Sequence, residues 1–160
     1  MSTTVLLVAP FGRDAVLLQQ RLAHAAITSN VVPDLERASA AVTPETGALI
    51  VSEEALSDAG VARLLQVITA QPEWSDLPVL VLTAASAPLV SGRAGPLTLL
   101  ESAANVTLLD RPVQTRTPLR AAHAALRARQ RQYDMRDVLE RERATRVHVE
   151  AASRAKDEFL

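Results

Sequence analysis

The sequence predicts an α/β fold: five parallel strands in one sheet, helices wound on both faces, and a long helix at the C-terminal end. Three observations carry the prediction. Short continuous apolar runs recur, and such runs suit strands buried on both faces. Segments with helical periodicity lie between them, and this alternation argues for crossover connections and parallel pairing. The last Pro is Pro118 and the last Gly is Gly95, so the final forty-odd residues contain no helix breaker.

The elements follow in order. "TVLLVA" (Thr4–Ala9) reads as a buried strand. "RDAVLLQQRLAHA" is helical, with Leu18, Leu22 and Ala25 on one stripe. "ITSNVV" is a weaker, more exposed strand, and "DLERASAAV" a short helix with Asp34 placed to cap it. "GALIV" (Gly47–Val51) is a second buried strand, followed by the helix "SDAGVARLLQVITAQ" capped from Ser57 or Asp58. "LPVLVLTA" (Leu77–Ala84) is the clearest strand in the chain. A Gly/Pro/Ser-rich loop precedes a short helix with Pro96 at its first position. "NVTLL" (Asn105–Leu109) is the last strand, and one helix runs onward from Thr117, with Pro118 in its first turn. The pattern fits the flavodoxin-like order 2-1-3-4-5, in which functional loops sit at the C-terminal ends of the strands.

Composition narrows the function. The chain has 160 residues and no Cys, which excludes disulfide scaffolds, thiolate zinc sites and Cys nucleophiles. His24, His123 and His148 have no metal-ligand spacing. No cofactor and no metal are expected. Apolar runs such as "PVLVL" are too short to span a bilayer, and "MSTTVLLVAP" lacks the basic start and apolar stretch of a signal peptide. The expected compartment is the cytoplasm, with no membrane partner. "APFGRD" has one Gly and no Gly-Lys-Ser/Thr ending, so Gly12 reads as a turn residue and not as part of a phosphate loop. Residues 1–112 carry 6 Arg/Lys against 11 Asp/Glu, a net −5, while residues 113–160 carry 11 against 7, a net +4.

Three strand-end loops carry chemistry. "ALIVSEEAL" places Glu53 just past the third strand, "LPVLVLTA" ends in Thr83-Ala84, and "VTLLDRP" ends in Arg111-Pro112. Over roughly residues 4–126 this text resembles the receiver domain of two-component signalling. The resemblance implies an acidic pair after the first strand, an acceptor Asp after the third, a hydroxyl after the fourth and a Lys-Pro pair after the fifth. Thr83 matches the hydroxyl position, Arg111 stands where the family has Lys, and Pro112 matches the Pro. Glu53 falls at the acceptor position, or Ser52 does under a one-residue shift. Ala9 and Pro10 occupy the places of the acidic pair. Mg²⁺ is held through carboxylate oxygens and neutralises the transferring phosphoryl group. Without that pair, the expectation is a receiver-like domain that does not take up phosphate. Glu53 would instead mimic a phosphorylated acceptor by pairing with Arg111.

The final helix spans Thr117 to Leu160. Leu119, Leu126, Tyr133 and Val147 lie on one 7-spaced track, interrupted by Glu140, and Val138, Thr145, Ala152 and Phe159 lie on another. Drifting tracks predict an imperfect coiled coil and a parallel homodimer. Arg127, Arg129, Arg131 and Arg136 read as a solvated face and not as a nucleic-acid contact, because Asp134, Asp137, Glu140 and Glu142 interleave with and follow them. The ending "RAKDEFL" resembles the stretch just upstream of the phosphoacceptor motif in sensor histidine kinases, matched by Lys156, Asp157, Glu158, Phe159 and Leu160.

The expected organisation is a receiver-like domain over residues 1–116 and a signalling helix over 117–160 that leads into a kinase dimerisation domain. The chain itself is then not an enzyme, and the resemblance implies histidine kinase activity beyond Leu160. Two alternatives are a phosphate-accepting response regulator with an unusual site and a small-molecule-binding module.

Overall fold

A computed structural model describes residues 3–8, 14–84, 95–111 and 116–158. The strands are β1 (Thr4–Val8), β2 (Thr28–Val32), β3 (Thr46–Ser52), β4 (Val79–Thr83) and β5 (Val106–Asp110). The helices are α1 (Asp14–His24), α2 (Leu35–Ala41), α3 (Asp58–Thr69), α4 (Pro96–Ala103) and α5 (Thr117–Glu158). One sheet orders the strands β2-β1-β3-β4-β5, and every pair is parallel. The predicted fold class and strand order are therefore those observed.

The apolar runs are continuous because both sheet faces are covered. Successive residues of a strand point to opposite faces. Val5, Leu7, Ala48, Ile50, Leu80 and Leu82 pack with Leu18 and Leu22 of α1 and Ala122 and Ala125 of α5. Leu6, Val8, Leu49, Val51, Val79 and Val81 pack with Leu35 and Ala38 of α2, Val61 and Leu64 of α3, and Leu100 of α4. The two edge strands, β2 and β5, are mostly exposed or half-buried, which explains their weaker sequence signals.

Helix starts and stops follow local chemistry. Asp34 Oδ1 accepts from the Arg37 amide at 2.7 Å, capping α2. Ser57 Oγ accepts from the Gly60 amide at 3.0 Å, so Ser57 and not Asp58 caps α3. The chain leaves α1 through Ala26 at φ 59, with the Ile27 amide donating to the Leu22 carbonyl at 2.8 Å. That left-handed stop is ordinarily filled by glycine.

The first half of α5 packs on the sheet through Pro118, Ala122, Ala125, Arg129 and Tyr133, a stripe with helical spacing. Gly47 on β3 permits the close approach, because a Cβ there would collide with Thr3 Cγ2 and Leu126 Cδ2. Leu119 and Leu126 also pack against this core. The first coiled-coil track is thus corrected: Leu119, Leu126 and Tyr133 belong to the domain's own core and are not free for an intermolecular seam. From residue 140 to residue 158 every described residue is exposed. At about 1.5 Å per residue, this bare stretch extends roughly 28 Å. Val138, Thr145, Val147 and Ala152 are exposed, and Phe159 lies outside the described residues.

Candidate functional site

The strand register brings the C-terminal ends of β3, β4 and β5 side by side. Ser52 pairs with Leu82, and Thr83 pairs with Asp110. The sequence-predicted residues Ser52, Glu53, Thr83 and Arg111 therefore gather at one edge of the sheet. Ala9, Pro10 and Pro112 lie outside the described residues.

Arg111 does not pair with Glu53. Its guanidinium donates to Glu54 Oε2 across 57 residues of sequence. The local backbone explains the change. Glu53–Ala55 form a 3-10 turn, which advances about 120° per residue and so points neighbouring side chains in different directions. The Arg111 amide donates to the Thr83 carbonyl at 3.1 Å, which fixes the base of the arginine beside β4. Arg111 hydrogen-bonded to Glu54 holds that carboxyl below its ordinary value of 4.5, against a smaller opposing effect of burial.

Ser52 is the last residue of β3, and its hydroxyl is buried. The hydroxyl contributes weakly to stabilising the Glu54 carboxylate but makes no well-formed hydrogen bond among the described residues. Arg111 Nε is also buried and has no hydrogen-bond partner among the described residues. Thr83 Oγ1 points to β5, within 3.2 Å of Asp110 Oδ1 and 3.4 Å of the Leu109 carbonyl, so its hydroxyl ties two strand ends together.

Among the described residues, the edge holds no activated nucleophile. A serine hydroxyl is a weak nucleophile unless a base activates it. The Glu54 carboxylate, on which Ser52 acts weakly, is stabilised in its charged form by Arg111 and is therefore a weak base. Among the described residues no three His, Asp or Glu side chains cluster in a way that would hold a metal ion. What the edge does present is a carboxylate joined to the cation that follows the last strand.

A second polar cluster, not apparent from the sequence, lies at the opposite end of the sheet. Arg129, expected on a solvated face, is 0 % exposed. Its Nε donates to the Thr46 carbonyl at 3.0 Å, Nη1 to Ser75 Oγ at 2.8 Å and Gln132 Oε1 at 2.6 Å, and Nη2 to the Pro44 carbonyl at 3.2 Å. The guanidinium also lies 5.1 Å from the Tyr133 ring centre and 5.7 Å from that of Trp74. Arg136 approaches the same two rings at 5.2 and 5.4 Å. Gln132 adds bonds to both backbone groups of Asp76. The available signal was spacing: Arg129 sits four residues from both Ala125 and Tyr133, on the core-facing stripe.

No protein-family profile matches this sequence, and no curated protein matches it. Solved structures match the fold. The response regulator StyR superposes with a TM-score of 0.65 at 16 % identity, over 86 % of this chain and 66 % of StyR. A signal receiver domain from Vibrio parahaemolyticus gives 0.59 at 18 % identity, over 88 % and 98 %. A lysine decarboxylase from Francisella novicida gives 0.58 at 11 % identity, over 80 % of this chain and only 17 % of the enzyme. The chain thus has a receiver-like fold. It spans small parts of some larger neighbours, and fold likeness alone carries none of their activities across. Among the described residues, no helix is long and apolar enough to cross a membrane.

Proposed function

We propose that this chain is a regulatory module of two-component signalling, the N-terminal part of a cytoplasmic, bacterial sensor histidine kinase. In this reading the receiver-like domain does not accept a phosphoryl group, and α5 delivers its output to kinase domains further along the same polypeptide. The observation that carries the reading is the Arg111–Glu54 pair. Arg111 matches the family's basic residue, and an internal carboxylate already engages it at the sheet edge where the family's chemistry occurs. Ser52 closes the strand and Glu53 opens the turn after it, and neither supplies the Asp that the family carries at the acceptor position.

The output side rests on α5. It has 42 described residues and continues well past the last residue it packs against the sheet. Its final residues include the Lys-Asp-Glu text that resembles the lead-in to a kinase phosphoacceptor helix. A rigid helix anchored on a domain can transmit a shift or rotation only if it has two arrangements that the domain biases differently. The test is intact-mass measurement after incubation with acetyl phosphate and Mg²⁺. An unchanged mass is expected, and stoichiometric phosphorylation would overturn the reading in favour of an unusual response regulator.

A further inference from the structure

A groove of about 470 Å³ lies between α1 and the start of α5, and none of its lining residues belongs to the strand-end edge. Leu17, Ala25 and Leu119 form its apolar wall. All three are half-buried, and Ala25 and Leu119 pack against the core. Arg21, His24 and Arg116 form its basic wall, and among the described residues no Asp or Glu lines it. His24 Nδ1 donates to the Gln20 carbonyl at 3.3 Å, which holds the ring on its own helix and leaves Nε2 as the ring nitrogen for a ligand. The surrounding sequence has the same sign of charge. Residues 117–133 of α5 carry no Asp or Glu, and the one acid of α1, Asp14, stands about two turns before Arg21.

We propose that this groove binds a small amphipathic carboxylate, a free fatty-acid anion of medium chain length. Its carboxylate meets Arg21, His24 and Arg116, and its chain lies along Leu17, Ala25 and Leu119. The size is that of a small-ligand site, for which about 300–1,000 Å³ is usual. A guanidinium presents a planar fork that matches a carboxylate. The apolar wall selects a ligand with a hydrocarbon body over a bare anion, since only such a body covers it. No aromatic ring lines the groove, so nothing there stacks a nucleobase. Arg21 and His24 suit the last turn of α1, where the helix dipole favours cations. Arg116 has no such reason for its place. It stands just before the first turn of α5, where the dipole disfavours a cation, and an anion in the groove offsets that repulsion. A ligand here touches α1 and the start of α5 together, so its occupancy is an input to the helix that carries the output. That regulatory role rests on the function proposed for α5, whereas binding itself does not.

Calorimetric titration of decanoate, kept below its micelle concentration, into the 160-residue chain tests the site. Saturable binding is expected, about tenfold or more weaker for decan-1-ol, which lacks the charge, and absent for acetate, which lacks the chain. No saturable binding of decanoate, or equal affinity for decan-1-ol, would overturn the proposal. Arg116 and Arg120 are both exposed, and only Arg116 lines the groove. Arg116→Glu is expected to weaken binding by about tenfold or more, and Arg120→Glu by less than about threefold. Circular dichroism checks that both variants keep the fold. Equal losses would mark a diffuse basic surface and overturn the site. So would cosedimentation with phosphatidylglycerol vesicles in a chain that binds no decanoate, since that marks a membrane surface. Amide NMR shifts on adding decanoate are expected at Ala25 and Leu119 and not at Ser52 or Thr83, and the reverse pattern would place the ligand at the strand ends instead. None of these readouts involves phosphorylation, so failure here is distinguishable from failure of the labelling test.

Discussion

Arg111, one residue past β5, reaches across the sheet edge to Glu54 in the turn after β3, and Glu53 beside it takes no part in that pair. The expected outcome is a Glu54 carboxyl that titrates below the usual carboxylate range in the folded chain and returns toward 4.5 in Arg111→Ala. NMR titration of the carboxyl carbon reads this directly. The sign follows from linkage. A depressed folded pKa adds stability that is fully present above the unfolded value and is lost as pH falls below it. The Glu54 side chain is 47 % exposed, so Glu54→Gln is expected to change stability by less than about 1 kcal/mol at neutral pH.

Arg129 is a stronger structural test. Its guanidinium is buried, carries four hydrogen bonds and lies beside two aromatic rings. Arg129→Ala is expected to destabilise the fold by about 3 kcal/mol, through a cavity and orphaned acceptors. Arg129→Lys should recover little, because an ammonium group cannot reproduce the planar fork that reaches both Thr46 and Pro44. Urea denaturation measures both variants. Hydrogen exchange should show the largest loss of protection where α5 faces β3.

Ala26 offers a prediction of opposite sign. It holds a left-handed backbone, φ 59, at the end of α1. An L side chain pays roughly 1–2 kcal/mol there, whereas glycine does not. Ala26→Gly is expected to stabilise the chain by about 0.5–1 kcal/mol once the greater freedom of unfolded glycine is counted. A lower denaturation midpoint would count against that backbone geometry.

The sheet was legible in the sequence because β1, β3 and β4 are buried on both faces and therefore read as unbroken apolar runs. The site was half legible. Thr83 and Arg111 could be placed from strand ends, whereas the choice among Ser52, Glu53 and Glu54 depends on the exact residue at which β3 gives way to a 3-10 turn. Periodicity does not resolve a one-residue boundary. The long helix was legible as a helix, but its two tracks were not separable. Leu126 and Val138 look alike in sequence, and only the position of β3 shows that the first is covered by the chain itself and the second is bare. Arg129 was hidden by its own chemistry, since an arginine among other arginines reads as solvated until Trp74, 55 positions earlier, is found beside it.

The proposed function requires that the sheet edge keep its own carboxylate on Arg111 and exclude a phosphoryl group. The most direct measurement is an amide NMR titration with Mg²⁺ and beryllofluoride, a mimic of the bound phosphoryl group, followed at Ser52, Thr83 and Arg111. No saturable shift is expected at any of the three. A saturable shift at Ser52 and Arg111, accompanied by a rise in the Glu54 pKa as its arginine is taken away, would contradict it.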